Sequence, residues 1–304
     1  MIYRVDESIP DNLHLSVLCP QCTAEPLPIR VEQKFFITPK RIAYVTGLLL
    51  RVCRDEATPM SQVNSVYFDT VDFDQHDRSM SGELAKDKVR IRWYGEEYDP
   101  NRPPFSLSAP RGASGDTVEV WLELKSRQGF SSTKQRSPRY VSSRELHPSV
   151  LSRGIVPAGT LLETMAGFGF FPPEPIRPII VISYFRRRLV EPLTGYTVTI
   201  DTGIRSSLLI PGSAGTERRL ELPGAVVEVK CTEFRFPPSL LPLAAIGCSW
   251  TRFSKYSACL EAHDADRGTV SRLWPSGLME EEPGPLGRLS PTSRQYKPPE
   301  RRGR

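Results

Sequence analysis

The sequence predicts an α+β protein built on one mainly antiparallel sheet that has an ionic face and an apolar face. Three observations carry that expectation. Charged and polar side chains recur on alternate residues, always with the same parity, in Arg30-Glu32-Lys34, Lys88-Arg90-Arg92, Glu119-Glu123-Lys125, Tyr184-Arg186-Arg188, Thr199-Asp201 and Glu228-Lys230. The residues between them are apolar: Val31 and Phe35, Val89 and Ile91, Val120, Leu122 and Leu124, Phe185, Val198 and Ile200, Val227 and Val229. Strand side chains alternate faces, so each set occupies one side. Third, Asn, Gly and Pro punctuate these runs at hairpin intervals, as in an antiparallel sheet. An ordinary solvated face would be neutral and variable. Here carboxylates and cations stand two residues apart, a lining suited to a polyanion and the divalent metal that accompanies it.

The elements follow in order. Residues 1–28 show no sustained period and are expected to be an irregular lead-in. Residues 29–37 form the first strand. Pro39 then opens a helical pattern through Ile42, Val45, Leu48, Leu49 and Val52, since Pro suits a helix start and the apolar spacing marks one face. Ser65–Asp69 and Lys88–Tyr94 are the next strands. Gly95–Asp116, with Pro100, Pro103, Pro104 and Pro110, reads as a long loop or hairpin insertion. Val118–Ser126 is a strand, Gly129–Ser137 a polar turn, and Ser143–Gly167 a helical stretch. After a connector with Pro172, Pro173, Pro175 and Pro178, strands return at 179–188, 196–201 and 225–231, with a hairpin around 203–222. Residues 265–304 are rich in Pro and Arg with few core residues, and disorder is expected there.

Composition narrows the function classes. The 304 residues suffice for one large domain with tails. A net charge of +5 and a pI of about 8.9 favour an anionic partner. They do not select nucleic acid, for which no module signature is present. No apolar run reaches the roughly 20 residues that cross a bilayer, and MIYRVDESIP lacks the pattern of a secretory signal. Cys53, Cys231, Cys248 and Cys259 are scattered, as suits free thiols, and a cytoplasmic protein is expected. Cys19-Pro-Gln-Cys22 has ligand spacing but is half a zinc site without a second pair.

Read in order, Glu32-Gln33-Lys34, Tyr67-Phe68-Asp69-Thr70, Lys88-x-Arg90-x-Arg92-Trp93-Tyr94-Gly95, Glu123-x-Lys125, Lys134-x-Arg136, Tyr184-x-Arg186, Thr199-x-Asp201, Glu228-x-Lys230 and Ser254-Lys255-Tyr256 resemble the VTC domain. That domain is the polyphosphate polymerase module of the vacuolar transporter chaperone complex, also found as stand-alone bacterial proteins. The resemblance spans residues 29–262. It implies membership of the triphosphate tunnel metalloenzymes, related to CYTH proteins, whose fold is a closed antiparallel β-barrel with helices packed outside. It also implies transfer of the ATP γ-phosphoryl group to a growing inorganic polyphosphate chain.

By the same resemblance Lys34, Arg90, Arg92, Lys125, Lys134, Arg186 and Lys255 would grip phosphate oxygens, with Lys34, Arg90, Arg92 and Arg186 on the nucleotide. Glu228 matches the principal carboxylate for Mn²⁺ or Mg²⁺, and Glu32, Glu123 and Asp201 are the other lumenal acids, which serve either the metal or the neighbouring cations. Lys88, Arg188 and Lys230 share the parity without an equal claim to the chemistry, and Arg187 should face outward. Many relatives carry Arg where this chain has Thr197, a departure that would weaken phosphate grip. A hydrolase of triphosphates or nucleoside triphosphates, and a non-catalytic polyphosphate or nucleotide sensor, are the alternatives. No direct membrane insertion is expected, so export of a product across a membrane would need another protein.

Overall fold

The strands run β1 (Val31–Ile37), β2 (Arg54–Asp69), β3 (Ala85–Tyr94), β4 (Thr117–Gln128), β5 (Ser131–Ser142), β6 (Arg177–Val190), β7 (Thr197–Leu208), β8 (Arg219–Leu222) and β9 (Ala225–Cys231). The helices are α1 (Ile42–Val52), α2 (Asp74–Met80), α3 (Ala158–Gly167), α4 (Leu241–Ala245) and α5 (Lys255–Arg267). This computed structural model describes residues 31–95, 117–129, 131–147, 150–209, 219–231, 236–245 and 253–267. The lead-in of residues 1–28, the Cys19/Cys22 pair, residues 96–116 of the long loop, Cys248 and the tail from 268 lie outside the described residues.

All strands join one antiparallel sheet in the order β1-β9-β7-β6-β2-β3-β4-β5, with β8 added to β7. The register carries the parity across the ladders. Lys34 lies opposite Glu228, Glu228 opposite Thr199, Asp201 opposite Arg186, Arg90 opposite Glu123, and Lys125 opposite Lys134. The sheet is strongly curved. β1 and β4 are six strands apart, roughly 29 Å if the sheet were flat, yet the Lys125 Nζ of β4 sits 3.0 Å from the Glu32 Oε2 of β1. The ionic face is therefore the concave one.

The expected closed barrel is not what forms. Among the described residues β1 and β5 are the two edges of the sheet and no ladder joins them. The flanks meet through side chains instead. The β5 edge resists closure because Pro138 offers no N–H to a neighbour and Lys134, Arg136 and Arg139 place charge along the strand, the features that keep an edge unpaired.

The convex face builds two apolar cores. Phe35, Ile37, Val198, Ile200, Val227 and Val229 pack with Val45 and Leu49 of α1 and Leu243 of α4. Val89, Ile91, Trp93, Val120, Leu122 and Leu124 pack with Leu161 and Met165 of α3. The expectation that the helices lie outside holds for these and fails for α5. Tyr256, Ala258 and Cys259 of α5 cluster with Phe36, Val63, Tyr67, Ile182, Tyr184 and Val226, which share the parity of the charged set. The concave face thus has an ionic zone and an apolar zone, and α5 covers the apolar one. A bulge between β6 and β7, at Ser183/Phe185, helps make this possible. There Gly203 takes φ 58°, a conformation that costs glycine little, and Ile204 joins the α5 cluster.

Two further expectations change. The predicted polar turn at Gly129–Ser137 is mostly strand β5, which lacks apolar alternation because it is an edge held by the β4 ladder. The predicted helical stretch Ser143–Gly167 is broken into 3-10 turns at Ser143–Leu146 and Leu151–Arg153 before α3. Gly154 at φ 81° and Pro157 at the helix N-cap interrupt it. Cys53, Cys231 and Cys259 are free thiols, as their scatter suggested.

Candidate functional site

The ionic zone is assembled from most of the sheet and the first residue of α5. Arg186 on β6 grips Asp201 on β7 with both arms of its guanidinium, Nε–Oδ1 2.7 Å and Nη2–Oδ2 2.7 Å, and reaches Glu228 on β9 at 3.3 Å. Lys255 Nζ lies 2.6 Å from Asp201 Oδ2 and 3.0 Å from Glu228 Oε1. Lys34 sits more loosely between Glu32 at 3.6 Å and Glu228 at 3.8 Å. On the other flank Glu123 takes Arg90 Nε at 2.8 Å and Lys134 Nζ at 2.5 Å. Arg92 donates to the hydroxyls of Ser65 at 3.0 Å and Tyr184 at 3.3 Å. The Lys125–Glu32 pair ties the flanks together.

All seven predicted cations and all four predicted acids thus fall on the concave face. Seven cations against four carboxylates leave an excess of three positive charges. Arg187, between two of the concave residues, faces outward and pairs with Asp55 of β2. Arg188 bonds Ser61, and Lys230 stands directly across the ladder from Thr197, so a cation adjoins the position where relatives are expected to carry Arg.

The ionisation of these groups reflects their mutual company. Burial opposes charge on Glu32 and Glu123, but Lys34 and Lys125 hold the first at about 2, and Arg90, Arg92 and Lys134 hold the second at about 2. Glu228 lies well below the carboxylate range because Lys255, Lys34 and Arg186 outweigh its burial. Burial lowers the Lys134 ammonium to about 8 despite Glu123. Lys255 moves up, since Asp201 and Glu228 overcome burial. Such a lattice keeps cations pre-placed, which is the main requirement for stabilising a transferring phosphoryl group.

Lys255 owes its position to a hub. Asp69, at the end of β2, accepts the backbone N–H groups of Thr70 (2.8 Å), Gln75 (2.9 Å) and His76 (3.1 Å) and the Tyr256 hydroxyl at 2.6 Å. Tyr256 stacks on Tyr67 at 5.1 Å, and the Tyr67 hydroxyl accepts from Arg90 Nη1 at 3.2 Å. One aromatic pair therefore connects α5 to strand β3 and its Arg90. Tyr67, Ser65 and Tyr184 are not among the site residues expected from the sequence, although their shared parity with Arg90 and Arg92 across the β2–β3 and β2–β6 ladders was the available signal. Nor is Trp121, on the concave face beneath the Arg136 guanidinium at 4.5 Å.

A divalent cation fits one place in this arrangement. Glu32 and Glu228 are diagonal neighbours across the β1–β9 ladder and converge on the Lys34 ammonium; Mg²⁺ and Mn²⁺ commonly take one or two carboxylates with phosphate and water. The buried Thr199 hydroxyl, opposite Glu228, has no hydrogen-bond partner among the described residues. Glu123 and Asp201 have both oxygens engaged by cations at 2.8 Å or less. Among the described residues no three His, Cys, Asp or Glu side chains gather as a complete metal cage, so any bound metal would depend on phosphate and water for its remaining ligands.

Fold and site together define an α+β protein whose antiparallel sheet curls around a cation-rich trough. Within that class the chain belongs to the VTC domain family, whose model matches residues 29–263. Among solved structures the chain is similar to a candidate adenylate cyclase from Bacillus halodurans, with 15% identity over 74% of this chain and 94% of that one and a TM-score of 0.41. It is also similar to a candidate adenylyl cyclase from Hippeastrum with a dominant triphosphatase activity, at 15% identity over 76% and 95% of the two chains and a TM-score of 0.40. Comparison with curated proteins yields no match.

Proposed function

We propose that this chain is a metal-dependent polyphosphate polymerase that moves the γ-phosphoryl group of ATP onto the end of an inorganic polyphosphate chain. The observation that carries this reading is the excess of positive charge in the trough, with the cations pre-placed by carboxylates on neighbouring strands. A terminal chain oxygen, already anionic, forms a bond to the γ-phosphorus. The bond from that phosphorus to the β–γ bridging oxygen breaks, and its electron pair leaves with ADP. No proton has to be removed from the nucleophile, so the protein's work is positioning and charge neutralisation.

Each side chain has a part in that work. Arg90, Arg92 and Arg186 present planar forks suited to two phosphate oxygens at once, while Lys34, Lys125, Lys134 and Lys255 are mobile point charges. Lys34, with the longest contacts in the lattice, is the cation freest to turn from carboxylate to phosphate. Glu228 and Glu32 would hold Mg²⁺ or Mn²⁺, which when bound neutralises charge on the β- and γ-phosphate oxygens. ATP and polyphosphate are the proposed partners, and a cytoplasmic site of action is part of the proposal. No helix among the described residues is long and apolar enough to cross a membrane.

One observation favours a second reading, hydrolysis of triphosphate or nucleoside triphosphate with water as acceptor. α5 covers the apolar zone of the concave face, so a product has fewer ways out than in a channel open at both ends. Among the described residues no ladder closes the seam between β1 and β5, and this is where a polymerase would release its chain. Purified protein incubated with ATP and Mn²⁺ or Mg²⁺ decides between them. Long polyphosphate with ADP, seen by gel and phosphorus NMR, supports polymerisation; free phosphate without chains supports hydrolysis; binding without turnover supports a sensor. Glu228→Gln and Arg90→Ala should each lower turnover at least about a hundredfold, and unchanged turnover in either variant would overturn the site assignment.

A further inference from the structure

Lys88 is half-buried and lies on the concave face of β3, one alternate position before Arg90. Among the described residues its ammonium touches two hydroxyls and no carboxylate: Ser254 Oγ at 2.7 Å and Ser79 Oγ of α2 at 3.0 Å. Lys34, Lys125, Lys134 and Lys255 each touch an acid. The charged groups around Lys88 are mainly cations. Lys125 stands directly opposite on β4, with Lys34 on β1 and Lys86 and Arg90 on its own strand. His76 of α2 is nearby and is itself lowered, by burial first and by Lys88 in part. Burial and these cations bring the Lys88 ammonium down to about 7.

The hydroxyl neighbours are arranged as donors to something else. Ser254 Oγ accepts from the Lys88 ammonium and from the backbone N–H of Ser257 at 3.3 Å, and the Ser257 hydroxyl lies 3.2 Å away. With both lone pairs engaged by N–H groups, its own proton is free to turn to an arriving acceptor. Ser79 likewise accepts from Lys88. Along β3, Arg92, Arg90 and Lys88 form a row with steps of about 7 Å, so the group continues the line of phosphate-gripping cations.

We infer that Lys88, Ser79 and Ser254 form a further oxyanion subsite that receives one phosphoryl group of a condensed phosphate chain. This rests on the reading of the trough as a phosphate-chain site. The arriving anion supplies the negative charge that Lys88 lacks, so the lysine takes up a proton as the chain binds near neutral pH.

The test is calorimetric titration of the full chain with inorganic tripolyphosphate at pH 7.5, in two buffers of different ionisation enthalpy. The wild type should take up more protons on binding than K88R, whose guanidinium stays charged, and K88R should bind within about threefold of wild type. K88M should bind about tenfold more weakly and lose the same proton uptake. Wild-type uptake equal to that of K88R, or K88M binding as tightly as wild type, overturns the subsite. If wild type fails to bind tripolyphosphate at all, the phosphate-chain reading falls with it, an outcome distinct from selective failure of Lys88. K88R keeps the comparison decisive if K88M does not fold.

Discussion

Replacing Glu123 with Gln removes one negative charge from the centre of the β3–β4–β5 flank while keeping the side chain's size. The carboxylate is 1% exposed and bridges Arg90 and Lys134. Holding its pKa at about 2, against an ordinary 4.5, is equivalent to about 3 kcal/mol of preference for the charged form. The sign follows from the depression. The contribution is fully present above the unfolded value and is lost as pH falls through the folded one, so about 1 kcal/mol should be left at pH 3. Urea unfolding followed by tryptophan fluorescence should show E123Q less stable than wild type by about 3 kcal/mol at pH 7, and the gap should shrink steadily below pH 4.5. In the variant Lys134, already lowered to about 8, should drop further, because its counterion is gone while Arg90 is still present. A gap below about 1 kcal/mol at pH 7, or one that is the same at pH 3, would refute the claim that Glu123 stabilises the trough as a charged bridge.

Arg187→Ala should leave both turnover and tripolyphosphate binding unchanged and cost at most about 1 kcal/mol, because its partner Asp55 is solvent-facing and the pair lies on the convex side. A large loss of activity would undo the parity assignment of β6. Asp69→Asn should weaken thermal stability and impair turnover together, since it disturbs the bond to Tyr256 that seats Lys255 in the trough; a cost of about 3 kcal/mol is expected for disrupting such a buried charged hub, and normal activity in a stable variant would contradict the hub's role. Gly224→Ala should destabilise by about 2 kcal/mol or more. Gly224 has φ 140°, and an added Cβ would meet the Phe36 ring at 2.5 Å and the Ile37 carbonyl oxygen at 2.7 Å; an unchanged melting temperature would show that this turn can relax.

Much of the wall of the trough was legible because strand parity is a local property. Lys34, Arg90, Arg92, Lys125, Arg186, Asp201 and Glu228 alternate with apolar residues that must be buried, and a slip of one position would expose Val89, Leu122 or Val227 to water. Lys134 was legible only through resemblance, because β5 carries Ser, Thr, Gln, Lys and Arg on both faces and has no apolar alternation to mark it as a strand. Lys255 was likewise beyond parity, since it opens a helix. Its place follows from Tyr256 reaching Asp69, 187 residues away in sequence.

The alternation of charge and hydrocarbon therefore settled which side chains share a face, and the order of the motifs settled the family. Whether that face closes into a ring was decided elsewhere, at the β1 and β5 edges, where Pro138 and edge charges leave the ladder unpaired and the flanks meet through Lys125 and Glu32. Long-range packing also brought α5 into the concave side and distinguished Lys255, which it delivers to two carboxylates, from Lys88, which it leaves with hydroxyls. Parity reports on neighbours two residues away; counterions and seams depend on contacts between segments that meet only when the sheet curls.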